Sequence, residues 1–326
     1  MTAYQITKYL HDRGSAVTAI IVTVAAIIVA FSLGKVDSIE GYRGILYPSP
    51  NLWISDPVIS MSFNLLFIVG LAVACIIINK TFNIMRGQTA IWATFFLFFS
   101  MSMPSLGGQF YGGTLLCAVM VTVTALMFTC FGAGDAARRV FLMFFLLSIT
   151  ALVQYAAMFY LIVLFPGLAQ MRVLNMKSII AGLLGIICPL WIIFGCGIAS
   201  PFDIQWPEFV GTLGSLDSTD MLITFSTLGI TILLGIFAFC GVIMKVISYN
   251  AKYRSANGFW AILMMSTILL MLVDYNNLAI YVPLLNFTVG YHLAHFFSNH
   301  RKPRSFIPIL SILSIYTVIY ALSLYF

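Results

Sequence analysis

The chain has 326 residues, of which 61% are hydrophobic and only 8% charged, with a mean hydropathy of +1.04. Soluble domains carry about a quarter of their residues as charges. So few charges cannot coat a globule that faces water, so the solvent this composition fits is lipid. The net charge of +6 does not mark a nucleic-acid partner, because the cations are scattered through short loops rather than gathered on one surface.

In chain order, apolar runs of roughly the 20 residues that cross a bilayer predict helices over 15–33, 58–78, 89–104, 114–131, 178–199, 221–247, 259–273, 278–298 and 306–324. The first follows Lys8 and Arg13 and reads as a retained signal anchor. Gly, Pro and Asn punctuate the loops, as in Tyr47-Pro48-Ser49-Pro50, Gly107-Gly108 and Asn276-Asn277. No hydrophilic stretch is long enough for a soluble domain, so residues 1–326 read as a single integral membrane domain. Six cysteines, Cys75, Cys117, Cys130, Cys188, Cys196 and Cys240, sit inside apolar runs and read as small hydrophobes.

A further apolar stretch, Val140–Phe165, decides the sidedness. If it crosses once, most cations fall outside, against the rule that short cytoplasmic loops hold Lys and Arg. If it enters and returns, the loops with Arg138-Arg139, Arg172 and Lys177, Lys245 to Arg254, and Arg301 to Arg304 all become cytoplasmic. Of the 16 Lys and Arg only Lys35 and Arg43 then lie outside. Two helices of about 13 residues reach only about 20 Å, so a re-entrant or short-helix pair turning near Gln154-Tyr155 is expected. The rival break is at 178–199, where Gly185 and Pro189 could split a helix. The expected fold is therefore an all-α polytopic transmembrane helix bundle: about nine full spans plus one re-entrant or short-helix pair at 140–165. Its N-terminus is expected to be cytoplasmic. The carboxylates, which took no part in that choice, segregate too. All 10 acidic residues except Asp12 and Asp135 fall outside.

The outer loops carry the candidate chemistry. Residues 35–56 hold Asp37, Glu40, Arg43, Trp53 and Asp56, and residues 200–220 hold Asp203, Trp206 and Glu208. Carboxylates bind sugar hydroxyls, flat rings pack on the apolar faces of a pyranose, and paired carboxylates can act as acid and base or hold a metal. Asp37 and Glu40 are the catalytic candidates. Arg43, Trp53, Asp56, Asp203, Trp206 and Glu208 are the candidates for binding substrate. Plain solvated loops with headgroup-level aromatics are the bland alternative. Asp220 reads as a helix cap, and Asp274, beside Tyr275, Asn276 and Asn277, as a turn.

On the inner side, Arg138, Arg139 and Arg172 suit anionic lipid or phosphate. His292 and His295 share a helix face but lack a carboxylate partner, so no metal site is read. No pattern names a cofactor. Within the spans Asn64 and Gln154 are the notable polar residues. Gly182, Gly185, Gly229, Gly235 and Gly241 permit close helix approach.

Asp37 and Glu40, on the first external loop after a cytoplasmic N-terminus, give the chain a resemblance to the GT-C superfamily of polytopic membrane glycosyltransferases. That resemblance implies a fold with short helices among the spans and a lipid-linked sugar as substrate. The stretch from Arg138-Arg139-Val-Phe through Phe165-Pro-Gly, Met171-Arg172 and Gly185-Ile-Ile-Cys-Pro189 also resembles a family of bacterial polytopic inner-membrane proteins. Three functions stay open: an enzyme of lipid-linked glycan or cell-envelope metabolism, a transporter or flippase of an amphiphile, and a non-catalytic subunit that binds other membrane proteins.

Overall fold

The structure, a computed structural model, describes residues 3–36, 44–85, 90–204, 218–298 and 306–325. Among them it is helical, with no β-strand. The helices are α1 (Ala3–His11), α2 (Arg13–Ser32), α3 (Pro57–Phe82), α4 (Ile91–Met101), α5 (Pro104–Gly107), α6 (Gly112–Thr129), α7 (Ala137–Val153), α8 (Ala156–Gln170), α9 (Met176–Gly195), α10 (Ser218–Ile247), α11 (Ala251–Val273), α12 (Leu278–Ser298) and α13 (Phe306–Tyr325).

Local chemistry sets several of these boundaries. The Asp12 carboxylate accepts from Arg13 N at the start of α2. Asp56 accepts from Val58 N and Ile59 N, 2.8 and 3.0 Å away, with Pro57 at the first helical position of α3. Asn175 accepts from Ser178 N at the start of α9.

Among the described residues, seven helices, α2, α3, α6, α9, α10, α11 and α13, are long and apolar enough to cross a membrane. The expected nine full spans are therefore not reproduced. The span expected over 89–104 is only the 11-residue α4, about 16 Å long. It breaks at Ser102 ahead of Pro104, and α5 is a single turn. The span expected over 278–298 is the 21-residue α12. This helix is the hub of the bundle, packed by α4, α6, α10 and α11. It is buried almost all round, so it carries Tyr, His, Thr and Asn that a lipid-facing helix would avoid. Trp92 Nε1 donates to the Phe287 carbonyl of α12 at 2.9 Å. The rings of Trp92, Trp260, Phe287 and Tyr291 meet edge-on or stacked within 6 Å.

Residues 137–170 form a hairpin. The chain turns at Gln154-Tyr155, as the polar pair suggests. The Phe144 and Phe165 rings, equidistant from that turn, meet at 5.3 Å. Gly132 N donates to Met171 O across the open end. The arms are longer than the apolar stretch implies, 17 and 15 residues, or about 25 and 22 Å. The helices run on through Ala137–Arg139 at one end and through Pro166 to Gln170 at the other. The rival break is absent: α9 is continuous with Pro189 inside it. α9 lies close against α7, where a Cβ on Gly185 would fall 2.6 Å from the Phe141 carbonyl.

The hairpin brings the loops with Arg172 and Arg254 to the same end of the bundle. Met171, Lys252 and Tyr253 line one cleft there, and Gln170 packs on Gly258. Arg13, Lys80, Arg138, Arg139, Lys177 and Lys245 stand at helix ends on this same side, the basic end. At the opposite end, Lys35 is the one cation among the described residues, beside Asp56, Asp203 and Asp274.

Candidate functional site

The hairpin tip reaches the end opposite the cations, and a cluster of buried polar side chains converges there. α11 stops at Val273, a 3-10 turn covers Tyr275–Asn277, and α12 begins at once. Asp274 sits in that break and is 3% exposed. Its carboxylate accepts from the Tyr155 hydroxyl at the hairpin tip, from the Tyr281 hydroxyl at 2.9 Å and from Asn277 Nδ2 at 2.5 Å. An ionisable group buried in a membrane chain is costly unless it is paired, so it is held where it has a task. The turn expected at Asp274 is present, and the structure adds that its carboxylate is a buried acceptor bound by three donors.

Two buried atoms in this cluster have no hydrogen-bond partner among the described residues: Gln154 Nε2, a donor, and Asn277 Oδ1, an acceptor. Gln154 is 1% exposed and Asn277 fully buried. Buried polar groups of this kind are met in folded proteins by a water, an ion or a ligand. Gln154 Oε1 accepts from Ser49 Oγ at 3.4 Å. Gly112 lets this side chain come close, since a Cβ there would lie 2.0 Å from that oxygen and would push the amide aside.

The loop before α3 is stapled onto the same tip. Leu46 N and Tyr47 N both donate to the Leu152 carbonyl at 3.0 Å. A Cβ on Gly44 would stand 2.2 Å from Val153 O. Val36, on the other flank of the loop, packs on Gly108.

Beside this cluster, a narrow cleft opens where α4 breaks and Pro283 leaves a gap in the hydrogen bonding of α12. Phe96, Met103 and Val282 give it an apolar wall, and Ser100, Tyr111 and Asn286 its polar points. The irregular backbone 102–111 is tolerated because other groups satisfy it. Asn64 donates to Leu106 O and Gly107 O at 3.1 and 2.8 Å and accepts from the Thr114 hydroxyl at 2.7 Å, while Ser60 Oγ accepts from Phe110 N. Asn64 is thus a clamp on the broken helix.

Of the residues expected to bind substrate or catalyse, Asp37, Glu40, Arg43, Trp206 and Glu208 lie outside the described residues. Trp53 is half-exposed, donates to Pro48 O at 2.9 Å and leans on Phe110. The Asp56 carboxylate is occupied in capping α3. Asp203 closes a capping box with Ser200 in a short turn with no buried residue. These three are each satisfied locally rather than gathered on one ligand. Arg138, Arg139 and Arg172 lie at the basic end, where Arg139 donates to Thr129 O at 2.6 Å. His292 rests on Tyr291 and Phe239, and His295 on Tyr249.

No family model, curated protein or solved structure matches this chain. The functional argument therefore rests on the geometry of the Asp274 cluster. Its second essential member, Tyr155, had one sequence signal: it follows Gln154 at the point where the hairpin must turn.

Proposed function

We propose that this protein spans a bacterial inner membrane with its basic end, and so its N-terminus, in the cytoplasm. Its outer end binds the hydroxylated head of a lipid-linked substrate, of the lipid-linked glycan class. The sidedness follows from the cations gathered at one end of the bundle. The observation that carries the binding reading is the pair of unmet buried atoms, Gln154 Nε2 and Asn277 Oδ1, around the Asp274 carboxylate. Sugar hydroxyls can accept from an amide N–H such as the first and donate to a carbonyl such as the second. The neighbouring cleft, apolar on one wall, suits the prenyl or acyl chain of the same molecule.

In the enzyme form of this reading, suggested by the GT-C resemblance, Asp37 or Glu40 serves as general base or metal ligand and Arg43 meets the diphosphate. A carrier reading draws on one observation of its own. A discontinuous helix beside a cleft, here α4 broken from α5, is how many transporters build their midplane sites.

The test is Gln154→Met, which removes the unmet donor at nearly constant volume. The full chain is purified in mild detergent and its retained lipids are identified by mass spectrometry. The parent is expected to carry a polyprenyl-linked sugar and the variant to lose it. The melting temperature of the variant should fall modestly, because the bound lipid stabilises the parent and Ser49 Oγ loses its acceptor. Identical lipids in both would overturn the reading. Glycan product lost in Asp37→Ala and Glu40→Ala, with the lipid still bound, separates the enzyme from the carrier.

A further inference from the structure

The basic end holds a second, shallow cleft between the ends of α3, α6, α8 and α11. Phe82, Phe128, Phe131 and Met171 make it apolar, and Lys252 stands on its rim. Arg172 follows Met171 directly and is exposed. An apolar slot with cations at its mouth, at the headgroup level of a membrane protein, is complementary to one kind of molecule.

The backbone at Arg172 adds an independent observation. α8 closes with Arg172 N donating to Ala169 O and Val173 N to Leu168 O. That closure requires a left-handed residue between them, and Arg172 supplies it at φ +60°. Glycine is the usual residue there because it has no Cβ to clash. The same job is done at the end of α2 by Gly34 and of α9 by Gly197, with φ +69° and +66°. The other non-glycine residue with positive φ among the described residues is Asn83, at the end of α3, a type that tolerates this region. Only at the cleft does an arginine occupy the strained position, and strain kept in this way marks a side chain with a task.

The geometry points to a binding site for an anionic phospholipid of the cytoplasmic leaflet. One acyl chain lies along the shallow apolar surface of the cleft, and Lys252 and Arg172 meet the phosphate. This rests on the proposed orientation of the chain but not on the outer site, which Gln154→Met tests separately.

The full chain is purified into mixed micelles of phosphatidylglycerol and phosphatidylcholine, and the retained lipid is read by native mass spectrometry. Arg172→Gly and Lys252→Gln are each expected to lower the preference for phosphatidylglycerol about fivefold. Arg172→Gly should at the same time raise the melting temperature in phosphatidylcholine alone, which a purely structural arginine would not do. Arg13→Gln, at the same end but away from the cleft, should leave the preference intact. An equal loss in Arg13→Gln reduces the effect to general charge attraction and overturns the site. Unchanged preference in Arg172→Gly and Lys252→Gln does the same. Competition by inorganic phosphate at the same concentration as the lipid would assign the cations to a soluble anion and exclude the lipid.

Discussion

At the scale of single residues, Asp274 and Tyr155 set the character of the outer end. A hydrogen bond to a charged group contributes about 1.5–3 kcal/mol, so Tyr155→Phe should lower the unfolding free energy by about that much. Graded unfolding in mixed detergent and denaturant measures it; a loss well below 1 kcal/mol would mean that the carboxylate finds another donor. Asp274→Leu should cost more, because it leaves the Tyr155 and Tyr281 hydroxyls and Asn277 Nδ2 without their acceptor. None of this is visible locally. Asp274-Tyr-Asn-Asn277 has the composition of a solvent-facing turn, and the tyrosine that buries it lies 119 residues away in the chain. Asp56 is the opposite case. Its position before Pro57 and an apolar run already spells a cap, and a cap is what it is.

Among the elements, the hairpin α7–α8 organises most of what surrounds it. It turns where a polar pair interrupts apolar sequence, returns the chain to the basic end, and presents its tip to both the Asp274 break and the loop 44–52. Gly44→Ala would drive a methyl group into the Val153 carbonyl. It should destabilise the protein by about 1–3 kcal/mol, and weaken lipid retention at the outer end along with it. A melting temperature equal to that of the parent would show that the loop is not stapled there. α4 shows how an element escapes a reading by hydropathy. Ile91–Met101 continues into apolar Met103 and Leu106, so the run looks long enough to cross. Pro104 and the carbonyls taken by Asn64 end the helix after three turns and leave a cleft in its place.

For the whole molecule, the separation of charge between the two ends is the feature to test. Cysteines placed at exposed Leu174 and Phe202, in a background with the native cysteines replaced, report the two ends directly. A membrane-impermeant maleimide should label Phe202→Cys in intact cells and Leu174→Cys only after permeabilisation. Labelling of Leu174→Cys from outside would reverse the orientation and remove the anionic-lipid site from the cytoplasmic leaflet.

Sequence by itself determined the helical membrane class, the place where the chain doubles back, and the gathering of cations and carboxylates at opposite ends. These are sums over neighbouring residues, hydropathy along a run and charge in a short loop, so they can be read without knowing what touches what. Only the tertiary structure decided that α12 is sheathed on every side, that α4 stops short, and that Asp274 is buried among tyrosines. It also decided that Arg172 bears a conformation suited to glycine at the mouth of a cleft. Each of those depends on atoms brought together from distant parts of the chain, and burial is a property of the packed bundle rather than of any segment in it.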